Sequence, residues 1–111
     1  MRQVNENIIP LQAAASITSA AIPALNLFYC SAQIAATGAS AGTLVIQASN
    51  DDFVNGNPPT NWSPIPTATV TVTGSGAYLI PKIDLCYQWV RLAYTNTGAG
   101  TISVVFKALG N

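Results

Sequence analysis

Apolar and polar side chains alternate with a period of two through most of this chain, and an extended backbone is what that spacing fits. In residues 101–108, Ile102, Val104, Phe106 and Ala108 alternate with Thr101, Ser103, Val105 and Lys107. Successive side chains of a strand point to opposite faces, so the first set predicts a core face and the second an outer face. Residues 42–50 repeat the pattern, with Leu44, Ile46 and Ala48 inward and Thr43, Gln47 and Ser49 outward. In residues 86–95 the inward set is Val90, Leu92 and Tyr94, leaving Trp89, Arg91 and Ala93 on the other face. Residues 27–37 predict Phe28, Cys30, Ala32 and Ile34 against the core, with Tyr29, Ser31, Gln33 and Ala35 facing away.

Gly- and Pro-bearing clusters punctuate these runs about every ten residues. Residues 96–100 read as a hairpin loop and residues 74–76 as a turn. Residues 51–61 gather Asp, Asn, Pro and Gly into a longer loop, whose sizeable apolar residues are Phe53 and Val54. Pro64 and Pro66 predict a short edge strand over residues 62–66, because their missing N–H groups would break a central ladder. A separate strand is expected over residues 68–73 and extended chain over residues 77–80. The Ala-rich segment 11–24 resists a helix, since Ile17, Thr18 and Ile22 are β-branched and Pro23 lacks the donor. The sum is an all-β, antiparallel β-sandwich of about eight strands, jelly-roll or Ig-like, in one domain over residues 16–111. Residues 1–15 read as an extended N-terminal arm whose Ile8, Ile9 and Leu11 would add a strand to a neighbour's sheet.

Charge narrows the function classes. Asp, Glu, Lys and Arg make up 7% of the chain, against roughly 25% in an ordinary domain. Ser, Thr, Asn, Gln and Gly must cover the surface instead, and a net charge of zero leaves little repulsion between copies. The four basic residues, Arg2, Lys82, Arg91 and Lys107, are scattered, which argues against a nucleic-acid partner. Pro and polar residues interrupt every apolar run well before the ~20 residues of a membrane span, so no membrane is expected. The first residues lack the apolar stretch of a secretory signal.

The chain contains no histidine, so the commonest general base and metal ligand is missing. Catalysis would rest on Lys82 or one of four carboxylates, and no enzyme is expected. Cys30 and Cys86 cannot furnish a zinc site alone. Free thiols are favoured over a disulfide pinning the two sheets. Asn50, Asp51, Asp52, Asn55 and Asn57 offer oxygen ligands for a weak Ca²⁺ site, but their spacing matches no EF-hand loop and turn chemistry accounts for them better. No cofactor is expected. Tyr29, Tyr87 and Trp89 fall on outer faces, where they suit a protein interface, cover for their own sheet, or a sugar-stacking platform.

The ordered segments Gly42-Thr43-Leu44-Val45-Ile46-Gln47-Ala48-Ser49-Asn50-Asp51, Asn61-Trp62-Ser63-Pro64-Ile65-Pro66, Trp89-Val90-Arg91-Leu92-Ala93-Tyr94-Thr95 and Gly100-Thr101 resemble a module of tailed-bacteriophage virion proteins. The resemblance spans roughly residues 16–108, with a longer loop at 51–61 than the pattern carries. It implies a β-sandwich that decorates capsids or builds fibres and tail parts. It also implies a place in the virion, after synthesis in the host cytoplasm, with other virion proteins and copies of itself as partners. The contact residues expected are Ile8, Ile9, Leu11, Tyr29, Phe53, Val54, Tyr87 and Trp89. The alternative is a carbohydrate-binding module that attaches to cell-surface glycans through the exposed aromatics.

Overall fold

The computed structural model describes residues 3–13, 15–52 and 58–110, with only the backbone described for residues 10–13. Nine strands run in order: β1 (Gln3–Ala13), β2 (Ile17–Thr18), β3 (Ile22–Pro23), β4 (Leu27–Thr37), β5 (Ala41–Ser49), β6 (Ser63–Thr73), β7 (Gly76–Asp84), β8 (Trp89–Asn96) and β9 (Thr101–Gly110). They form two antiparallel sheets. Sheet A has the order β1-β9-β4-β7 and sheet B the order β2-β8-β5-β6, with β3 also paired to β8. Apart from β2–β3 and β5–β6, every connection passes from one sheet to the other. Of the two sandwich types expected, this strand order selects the jelly roll. An immunoglobulin-type sandwich pairs its first two strands, whereas β1 pairs β9.

The inward-facing sets of the central strands meet between the sheets. Leu44, Ile46, Val90, Leu92 and Tyr94 come from sheet B, and Ile34, Ile102, Val104 and Phe106 from sheet A, all essentially out of solvent. Tyr94 keeps its polar end satisfied by donating to the Ala41 carbonyl at 3.2 Å. Gly42 makes that possible, because a Cβ there would stand 2.5 Å from the Tyr94 hydroxyl.

Three expectations are corrected. Phe28, expected against the core, is exposed, and Leu27 is buried in its place. A register shift between Leu27 and Tyr29 in the β4–β9 ladder reverses the phase at the strand's start. The segments 62–66 and 68–73 join into the single strand β6. Between the Gln47–Pro64 and Val45–Thr69 pairs lies a wide bulge, with Thr67 at φ 68°. Finally, the segment expected to reach a neighbour as an arm completes the chain's own sheet A. Ile9 lies in the core at 0% exposure and Ile8 packs against it half-buried. Register shifts on either side of Ile9 let the Ile8-Ile9 pair depart from simple alternation.

The four sheet margins share one feature. Pro10 lies in β1, Pro23 in β3, Pro64 and Pro66 in β6, and Pro81 in β7, whereas β4, β5, β8 and β9 contain no proline. A proline cannot donate to an added strand, so each margin is blunted against edge-to-edge pairing. In β7 the blunting is reinforced: Pro81-Lys82 bulges out between the Ile80–Ala32 and Ile83–Cys30 pairs.

Candidate functional site

Among the described residues, most of the large apolar side chains left in solvent lie on the outer face of sheet A. Tyr29 of β4 is 43% exposed, Leu79 of β7 61%, and Val105 and Leu109 of β9 39% and 38%. Register brings them together. Tyr29 pairs across with Leu109, while Gln33 pairs with Val105 on one side and Leu79 on the other. A groove of about 390 Å³ opens along this face, lined by Tyr29, Ser31, Leu79, Pro81, Leu109 and the two lysines Lys82 and Lys107 among others. The bulge in β7 helps to form it, because Ser31 has no partner on that strand. The Lys82 ammonium sits 4.6 Å from the centre of the Tyr29 ring, a cation–π contact.

The outer face of sheet B is differently made. The Trp62 ring covers the Arg91 guanidinium at 4.3 Å, and Arg91 Nε donates to Gln47 Oε1 at 2.7 Å. The Trp89 indole N–H donates to the Asp51 carbonyl at 3.0 Å. Asp51 ties together the two described ends of segment 51–61 here. Its Oδ2 accepts from the Thr60 and Asn61 amides at 2.8 and 2.9 Å, and its Oδ1 from Asn61 Nδ2 at 3.1 Å. These donors hold its carboxyl below the ordinary value of 3.8, the Asn61 amide contributing most. Three of the four sequence segments that carry the virion-module resemblance, 42–51, 61–66 and 89–95, therefore meet at one place. Nearby, a smaller cleft of about 200 Å³ is lined by Ser49, Asn50, Asn61, Ser63, Pro64 and Tyr87 among others.

The structure scatters the residues expected to make contacts. Among the described ones, Tyr29 alone lines the sheet A groove. Tyr87, half-buried, lines both the small polar cleft and an end cleft of about 320 Å³ that includes exposed Leu25 and Phe28. Trp89 is half-buried against its own loop. Leu11 lies in β1 with its side chain outside the described residues, as do Phe53 and Val54 entirely. Sequence reading missed Leu79, Lys82, Lys107 and Leu109 as groove residues. Leu109 was within reach, since continuing the β9 alternation one residue past Ala108 turns it outward. Among the described residues, no group of three or more His, Cys, Asp or Glu side chains comes together.

Cys30 and Cys86 are free thiols, the first buried and the second exposed. Burial pushes the Cys30 thiol up from 9.0 to about 12.

No protein-family model matches the chain, and no curated protein does either. Among solved structures, the crystal structure of PBSX exported protein XepA is similar in fold, with a TM-score of 0.73 at 19% sequence identity. The match takes in 97% of this chain but 37% of that one, so the chain spans well under half the length of its structural neighbour.

Proposed function

We propose that this chain is a non-enzymatic structural module of a bacteriophage particle, made in the host cytoplasm and held in the virion through the outer face of sheet A. The observation that carries the reading is the solvated apolar groove around Tyr29, Leu79 and Leu109 on a four-stranded sheet whose margins are blunted by proline. Exposed apolar area of this kind marks a surface that another molecule covers. The setting draws on the likeness to a protein of phage PBSX and on the use of jelly rolls in viral capsids, which is analogy at the level of fold. A role without catalysis accords with a chain that has no histidine. The fine position on the particle, as capsid decoration or as a fibre or tail subunit, belongs to the same proposal.

Band particles from host cells producing the chain on a density gradient, alongside a Leu79→Asp variant. The chain is expected to travel with the particles, and the variant to be depleted from them at least several-fold while remaining folded. Wild-type chain left at the top of the gradient would refute the reading. Attachment to host glycans is the second reading, favoured by the polar cleft at Asn61, Ser63 and Tyr87. Selective retention on a glycan array separates it from the first, since a purely structural module shows none.

A further inference from the structure

Building on the docking role proposed above, we infer that the sheet A groove accepts a segment of a partner protein in which an acidic residue is flanked by apolar ones. The apolar part of the argument is the lining: Tyr29, Leu79, Pro81 and Leu109 form walls of a groove whose volume falls in the range of pockets that enclose side chains or small ligands. The polar part is the pair of ammonium groups. Lys82 and Lys107 both line the groove, on β7 and β9 to either side of β4, and no carboxylate lines it with them. Neither lysine has an ion-pair partner among the described residues, and Lys82 is held instead over the Tyr29 ring. Asp84 is paired in register with Tyr29, outside the groove lining, so the face as a whole keeps an excess of positive charge. In a chain with four basic residues in all, placing two of them beside this exposed apolar groove leaves a site complementary to an anion on an apolar stem. A carboxylate entering between them meets both charges beside low-dielectric walls, where attraction is greater than in open water. A partner's surface loop or strand supplies such a group more readily than a second copy does through the same face, which would oppose lysines to lysines.

The test uses the whole chain and two short peptides, acetyl-Leu-Asp-Phe-amide and its Asn counterpart, followed by amide chemical shifts. The expected result is a set of shifts centred on Tyr29, Ser31, Leu79, Lys107 and Leu109, with the acidic peptide binding about fivefold more tightly at low salt. That preference should vanish in a Lys82→Ala/Lys107→Ala variant, persist in Lys82→Arg/Lys107→Arg, and fade as salt rises to about 0.5 M. The spectra themselves report whether each variant is folded. Equal binding of the two peptides, no binding of either, or shifts confined to another face would overturn the inference. So would sedimentation showing wild-type dimers that Leu79→Asp dissociates, because a second copy would then be the occupant. The outcome is independent of particle banding. A chain that bands with particles yet ignores the acidic group loses only this inference, whereas one that prefers the acidic peptide yet never bands loses the particle role.

Discussion

Two cysteines of the same chain meet different environments, and that difference is measurable. Cys86 is exposed while Cys30 is enclosed between Ile83 of β7 and Ala108 of β9. An aromatic disulfide reagent should therefore modify one thiol quickly in the folded protein and the second at the rate of unfolding. The raised pKa of Cys30 has a definite sign. The folded state holds the thiol proton more tightly than the unfolded chain, so this contribution to stability is complete below pH 9.0 and drains away as pH climbs toward about 12. Urea denaturation between about pH 8 and pH 10.5 should show wild type losing more stability than Cys30→Ala. A wild type and variant that fall in parallel would place the alkaline sensitivity elsewhere.

At the level of strands, legibility followed regularity. The inward sets of β5, β8 and β9 were readable because each keeps one ladder in unbroken register across its central span, β5 with β8 and β9 with β4, leaving alternation intact from the sequence to the core. Where the ladder slips, the sequence has no mark of it. Phe28 and Leu27 are both apolar, and the choice between them is made by a bulge that depends on β9. The groove was hidden for a similar reason: Leu79 and Leu109 are far apart in the chain and come to line one groove only through their separate ladders to β4. The bulge in β6 also leaves a cost. Thr67 sits at φ 68°, in the left-handed region that a β-branched residue adopts unwillingly. Its side chain is exposed, so Thr67→Asn should relieve strain without disturbing packing, raising stability by about 1 kcal/mol. A thermal melt that moves down instead would show that the threonine side chain has a role in holding the bulge.

For the molecule as a whole, the prolines divide the surface into margins that repel strands and a face that does not. Replacing Pro64 and Pro66 together by threonine restores two donors to the free side or the ladder side of β6. The double variant is expected to remain folded and to associate with increasing concentration in sedimentation, where wild type does not do so through its edges. Unchanged mass at high concentration would mean that the bulge at Thr67 protects the margin by itself. The pairing of β1 with β9 carries a different consequence. Gln3 stands opposite Leu109, so the polypeptide enters and leaves the sandwich at adjacent points of one sheet. A fold with that geometry behaves like a bead on a loop of string: it can be spliced between two residues of a host chain without forcing them apart, and its interior need never register the splice.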